Sequence, residues 1–374
     1  MRTLVVSDLH LGARTRVDLL RRPELRASLL EELEGIDRLV LLGDVLELRH
    51  GPPREAIAAA RDVFADLGRT MAGREIIVLA GNHDHGLVEP WLAARSTSDL
   101  PSALATEQRF APGDASPALV ALADAAAPAE LTCAYPGVWL RPDVYATHGH
   151  YLDLHITVPT IERLGLGLMS LVVRRPPSQL AGPDDYEAVM SPLFAWLDAI
   201  AREAPSGDAV NGQLTIRAWR ALRPAPGRRR PLSSRAFGAL FPLMVAALSR
   251  AGLGPLRSDI SRNELERAGL RAMGVVVEQL DLGAGHVVFG HTHRPGPLAN
   301  DDWHDWTAPT GARLHNCGCW SFDGFFIGER AGESPYWPGN AILVEDAGPP
   351  VVRPLLGDRT RSQLSPGKVA RAAA

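Results

Sequence analysis

Lysine is almost absent from this 374-residue chain: Lys368 is the only one, although lysine and arginine together number 39. Arginine in place of lysine, with abundant Ala, Gly and Pro, points to a GC-rich coding sequence before it points to function. Cysteine is also scarce. Cys133, Cys317 and Cys319 are few and odd in number, which argues against a disulfide framework. No apolar run reaches the roughly 18 residues needed to span a bilayer. The N-terminus, "MRTLVVSDLH", has neither the apolar core nor the cleavage site of a secretory signal. The expected location is therefore the cytoplasm. Acid is missing from one long stretch: Ala209 to Ser258 holds no Asp or Glu but nine arginines. The net charge is nevertheless −4. With no basic groove interleaved with aromatics, the chain carries no strong nucleic-acid signal.

What is present is a globular composition, 46% hydrophobic and 22% charged, in a chain long enough for one large domain or two ordinary ones. The first 90 residues alternate regularly. "RTLVVSDLH", "DRLVLLGDVLEL" and "REIIVLAGNHD" read as buried strands ending in polar residues. Between them, roughly Pro23 to Glu34 and "PPREAIAAARDVFADLGRTM" read as helices. Residues 99–130 are weakly patterned. "ELTCAYPGVWLRPDVYATHGH" reads as two strands around a Pro-Asp turn. Strand patterning returns in "HVVFGHTHRP", "ARLHNCGCW" and "NAILVED". The expected organisation is an α/β core at 1–150 and 283–356, a helical insertion at 151–282, and a disordered tail from Gly357 to Ala374.

Chemistry-bearing residues gather at the C-terminal ends of the strands, where α/β proteins place their sites. Asp8 and His10 are two apart, as are His291 and His293, and on a strand such pairs share a face. Asp44 and the run Asn82-His83-Asp84 end two further strands. Carboxylate, imidazole and amide donors together suit Mn²⁺, Fe or Zn²⁺ better than an all-oxygen or all-thiolate site. They are too many for one tetrahedral ion and suit two ions sharing a carboxylate. Taken singly, each residue has a bland reading as a cap, turn or loop residue. Three histidines in "ATHGHYLDLH", His148, His150 and His155, compete for a further role.

The motifs "DLH" at 8–10, "GDVLE" at 43–47, "GNHD" at 81–84, "HGH" at 148–150 and "GHTH" at 290–293 resemble, in order, the signature of the calcineurin-like metallophosphoesterases. The resemblance implies a four-layer α-β-β-α sandwich. It implies that Asp8, His10 and His293 hold one ion, that Asn82, His148 and His291 hold the second, and that Asp44 bridges. His83 would stabilise phosphoryl oxygens or protonate the leaving group, with Asp84 orienting it. The implied reaction is hydrolysis of a phosphomonoester or phosphodiester by a hydroxide bridging two divalent ions. Mn²⁺ is the first expectation, with Fe or Zn²⁺ as alternatives. A nuclease, a cyclic-nucleotide phosphodiesterase, a lipid-linked diphosphate hydrolase and a non-catalytic scaffold are the competing readings.

Glu47, Asp153, Arg294 and His150 are candidates around the ligands. Arg294 could bind phosphate through both guanidinium nitrogens or form a salt bridge. His150 is expected near the site, touching substrate or solvent. Asp153 could hold a ligand imidazole or cap a helix. "HNCGCW" is similar to the Asn-x-Gly-Ser-Trp stretch that follows the last family motif, and its cysteines read as small buried residues. "GHTHRP" is similar to UDP-2,3-diacylglucosamine hydrolases, but the insertion differs in length and pattern, so that substrate is not adopted. Two apolar runs, 164–175 and 237–249, lie near arginines. They read either as a helical cap or as a peripheral contact of 151–282 with anionic lipid at the inner face of the membrane.

Overall fold

The computed structural model describes residues 1–97, 102–203, 246–253, 255–257 and 262–366. The three apolar runs form β1 (Thr3–Val6), β2 (Arg38–Leu42) and β3 (Glu75–Leu79). They pair in parallel. The crossovers are α1 (Pro23–Glu32) and α2 (Pro53–Thr70). Each starts with proline, where the missing N–H breaks no helical bond. Next come α3 (Glu89–Ser96), β4 (Glu107–Phe110), α4 (Pro112–Ala115) and α5 (Pro117–Ala126). From residue 102 on, the weakly patterned segment thus holds short elements.

β5 (Glu130–Arg141) is long enough to serve two sheets. Its first half runs parallel to β3 and antiparallel to β4. Beyond Pro136 it pairs antiparallel with β6 (Val144–Thr147). The insertion region supplies α6 (Ile161–Val173), α7 (Pro183–Glu203) and α8 (Arg262–Gln279). β7 (His286–Phe289) and β8 (Arg313–Asn316) continue the second sheet in parallel. β9 (Asn340–Val344) and β10 (Val351–Pro354) extend the first sheet antiparallel beyond β1.

Strand residues alternate between faces, and here the alternation separates three cores. Val5, Val40, Leu42, Ile77 and Leu79 pack against Val144, Ala146 and Val288 from the other sheet. Their neighbours Leu4, Leu39, Leu41, Ile76 and Val78 face α1, α2 and α5. On the far side, Tyr145, Val287 and Phe289 face residues of α6, α7 and α8. Three cores between four layers make the α-β-β-α sandwich that the motifs implied.

The tail departs from expectation. Residues 361–364 form α9 (Arg361–Leu364), Leu356 and Leu364 are buried, and Arg22 donates to the Leu364 carbonyl at 3.3 Å. The two leucines are apolar anchors that the polar, Ala-rich composition of the end concealed. Residues 367–374 lie outside the described residues, as do the arginine-rich stretch at 209–245 and most of the apolar run 237–249. No helix among the described residues is long and apolar enough to cross a membrane.

Candidate metal centre

The strands end before the motifs do, so the period-2 argument for paired side chains does not hold. β1 stops at Val6 and β7 at Phe289. Asp8, His10, Asp44, His291 and His293 all have positive φ, between 48° and 65°. That left-handed region costs a non-glycine residue about 1 kcal/mol or more. The turns are held by what surrounds them. His10 N–H donates to the Asp44 carbonyl at 2.8 Å, and Leu9 and Leu11 are fully buried. Motif glycines allow the close approach: a Cβ at Gly290 would collide with Ser7 Oγ and the Asp8 carboxylate, and one at Gly81 with Asp44.

The turned side chains converge. Asp8, His10 and His293 present one donor atom each within 4.8 Å of one another, as do Asp44, His148 and His291. His10, Asp44 and His83 form a third such set. Asp44 Oδ2 lies 3.8 Å from His10 Nε2 and 3.4 Å from His148 Nε2, so it stands between the two sides. Asn82 Oδ1 is 3.2 Å from His148 Nε2. Each candidate ligand inferred from the sequence is therefore in the cluster.

The donor set fits divalent cations on its own chemistry. Asp8 is fully buried, and its Oδ1 stands 3.1 Å from His293 Nε2 without an aligned hydrogen bond. His148 Nδ1 donates to the Leu42 carbonyl at 2.9 Å, and His10 Nδ1 lies 3.2 Å from Glu47 Oε2. Both rings therefore keep the Nε2 lone pair for the site. His10 Nε2 and His293 Nε2 face each other at 3.3 Å, a pairing that a shared cation explains better than a hydrogen bond. His291 Nε2 is held by Asp153 at 2.9 Å, the imidazole-holding alternative for that carboxylate.

Electrostatics of the ion-free cluster are strongly perturbed. Burial pushes the Asp8 carboxyl up, but His293 and His148 outweigh it and hold the pKa at about 2. Burial likewise pushes the Asp44 carboxyl up, but His148 and His83 outweigh it and hold it well below the carboxylate range. For His148, burial disfavours the cation while Asp44 and Asp8 favour it, raising the pKa to about 9. Divalent ions would replace these protons as counter-charges.

Three assignments need correction. Asp84 does not touch the His83 ring. Its carboxylate accepts from the backbone N–H groups of Gly81, Asp44, Val45 and Leu46, at 2.6 to 3.2 Å, and so ties two ligand loops together. Glu47 holds His83 instead, with both oxygens 2.9 and 3.0 Å from Nδ1, and reaches His10 as well. Arg294 is committed inside the protein. It donates to both oxygens of Asp301 at 2.5 and 2.6 Å and lies over the Trp306 ring. His150 is 1% exposed. The chain turns at Gly149, with φ 103°, and carries the ring behind the site among Tyr135, Tyr151 and Phe194. Burial holds it well below its usual pKa, hence neutral. His155 makes its hydrogen bond to Tyr186. Cys317 and Cys319 are both buried, with the Cys319 thiol donating to the Ser321 carbonyl at 3.4 Å.

A cavity of about 620 Å³ opens beside His291 and His293. Leu265, Leu270 and Trp306 line it, with Glu162, Glu266 and Asp302 among its acids. Its two arginines are both paired internally, Arg294 with Asp301 and Arg267 with Asp305.

Comparison with known proteins agrees with the motif reading. Residues 1–166 match the family model described as calcineurin-like phosphoesterase. No curated protein is matched. Among solved structures the chain is similar to a dimetal phosphatase from Danio rerio, at 13% identity and a TM-score of 0.34, over 94% of this chain and 98% of that one. A likeness that distant places no residue.

Proposed function

We propose that this chain, whose residues 1–166 match the calcineurin-like phosphoesterase family model, hydrolyses a phosphomonoester or phosphodiester at the cluster around Asp44. The observation that carries the reading is Asp44 itself, common to two of the three-donor sets, one with His10 and His83 and one with His148 and His291. Asp8, His10 and His293 would hold one divalent ion, Asn82, His148 and His291 the other, and Asp44 both. When bound, the ions supply an acidified water and neutralise charge on the phosphoryl oxygens. Mn²⁺ is the first choice, with Fe or Zn²⁺ as alternatives.

The residues then divide the remaining work. His83 is placed to serve the leaving oxygen through Nε2, because Glu47 occupies its Nδ1. Proton delivery requires the ring to be protonated on both nitrogens. Glu47 is a positioning residue, since it acts through His83 and His10. The cavity beside His291 would take the rest of the substrate. Its acids and its two internally paired arginines weigh against a long polyanion such as nucleic acid.

The test is hydrolysis of p-nitrophenyl phosphate and bis-p-nitrophenyl phosphate. Mn²⁺-stimulated cleavage of either is expected, and cleavage of neither rejects the reading. Asp44→Ala should lose both ions by elemental analysis; retention of both would remove the bridging role.

A further inference from the structure

Helix α7 turns one face toward the back of the metal loops. Glu187, Ser191, Phe194 and Asp198 follow one another at spacings of four, three and four, a single stripe of a helix. The Glu187 carboxylate accepts from Tyr135 Oη and Tyr151 Oη at 2.6 Å each, from Ser191 Oγ at 2.5 Å and from His85 Nε2 at 3.0 Å. Phe194 meets the rings of His85 and His150 and lies under the Arg49 guanidinium, 5.5 Å from the ring centre. Arg49 Nη2 donates to the Asn82 carbonyl at 2.6 Å. Asp198 packs so close to Gly86 that a Cβ there would meet its carboxylate at 2.8 Å.

The partners are not scattered. Arg49 follows Glu47 by two, His85 follows the Asn82-His83-Asp84 run, and Tyr151 lies three past His148. These are the segments of the second ion and of the leaving-group histidine. Among the described residues, no hydrogen bond from α7 reaches Asp8, His10 or His293, the residues that would hold the first ion. Burial pushes the Glu187 carboxyl up, but the His85 hydrogen bond and charge hold its pKa at about 2, so it remains a pure acceptor.

We propose that Glu187, supplied by the insertion, is a positioning residue for the second ion: its hydrogen bonds from His85 and Tyr151 hold the loops of Asn82 and His148 in register, and it acts on that ion and not on the first. The proposal rests on the two-ion reading above. It also makes the insertion part of the centre rather than a detachable cap.

The experiment is Mn²⁺ titration of the metal-free full chain by calorimetry, with bound metal counted by elemental analysis. Wild type should take up two ions; fewer than two would break the underlying reading, not the positioning claim. Glu187→Gln should weaken one ion by about 10- to 100-fold, as loss of a residue supporting a metal ligand does, and leave the other unchanged. The weakened ion is identified by combination. In a His10→Ala background Glu187→Gln should weaken the single remaining ion, and in a His148→Ala background it should change nothing. Equal weakening of both ions, or of neither, overturns the proposal while the two-ion reading stands. Should Glu187→Gln fail to fold, Tyr151→Phe carries the same test. It removes one donor and keeps the ring, and a selective loss of the same ion is expected; no selective loss overturns the proposal.

Discussion

At the scale of the residue, two carboxylates separated by the chain have exchanged the roles that motif order suggests. Asp84 is next to His83 in sequence, yet it satisfies four backbone N–H groups. Glu47 is 36 residues away and makes the contact to the ring. The two acids should therefore fail differently. Glu47→Gln should cost about 10- to 100-fold in kcat, with weaker uptake of the ion held by His10 and a melting temperature close to wild type. Asp84→Asn turns an acceptor into a donor that faces N–H groups, and should destabilise by about 1–3 kcal/mol. Steady-state kinetics and thermal unfolding on the same pair of variants check this. A large stability loss in the first with full activity retained, or the reverse in the second, would restore the Asp84–His83 assignment.

At the scale of the element, the centre is built from turns rather than strands. Five candidate ligand residues hold left-handed backbone beyond the strand ends, so their convergence depends on packing beneath the turns. Gly290 is the tightest point, because Ser7 and Asp8 occupy the space where its Cβ would stand. Gly290→Ala should therefore destabilise by about 1–3 kcal/mol and weaken the ion at Asp8. Thermal unfolding with and without Mn²⁺ measures both effects, and a variant that binds two ions with wild-type stability would show that the close approach is slack. Motif spacing revealed which residues meet but not how they turn. The i, i+2 rule assumes strand geometry, and Asp8 and His10 reach a common point by another route. His150 shows the same limit. On a strand it would accompany His148, but Gly149 turns it into the aromatic cluster under α7.

At the scale of the whole molecule, the buried histidines outside the centre set an acid limit. His315 is 1% exposed, and burial, with His286 and Arg313 nearby, lowers its pKa to about 3. The folded state thus keeps it neutral, while the unfolded chain protonates it near 6.5. Below that pH the unfolded state binds the extra proton, so stability is lost as pH falls from about 6.5 toward 3, by about 1.4 kcal/mol per pH unit at most. His315→Gln lacks this linkage. Its stability deficit against wild type should shrink steadily between pH 6.5 and 4 in denaturant titrations; a constant deficit would mean that His315 is protonated in the fold.

Apolar runs, their polar ends and the order of the five motifs are local properties, and from them the chain by itself indicated the sandwich and the residues that the fold gathers around Asp44. Tyr135, Tyr151, His85 and Glu187 gave no such signal, because nothing in their local pattern separates a buried polar network from ordinary core. Which carboxylate serves which imidazole was decided only when the two sheets closed, since those contacts join residues 36 to 138 positions apart. The same is true of the Arg294–Asp301 pair. A guanidinium after the last motif suits either phosphate or an internal acid, and only the fold brings Asp301 to it.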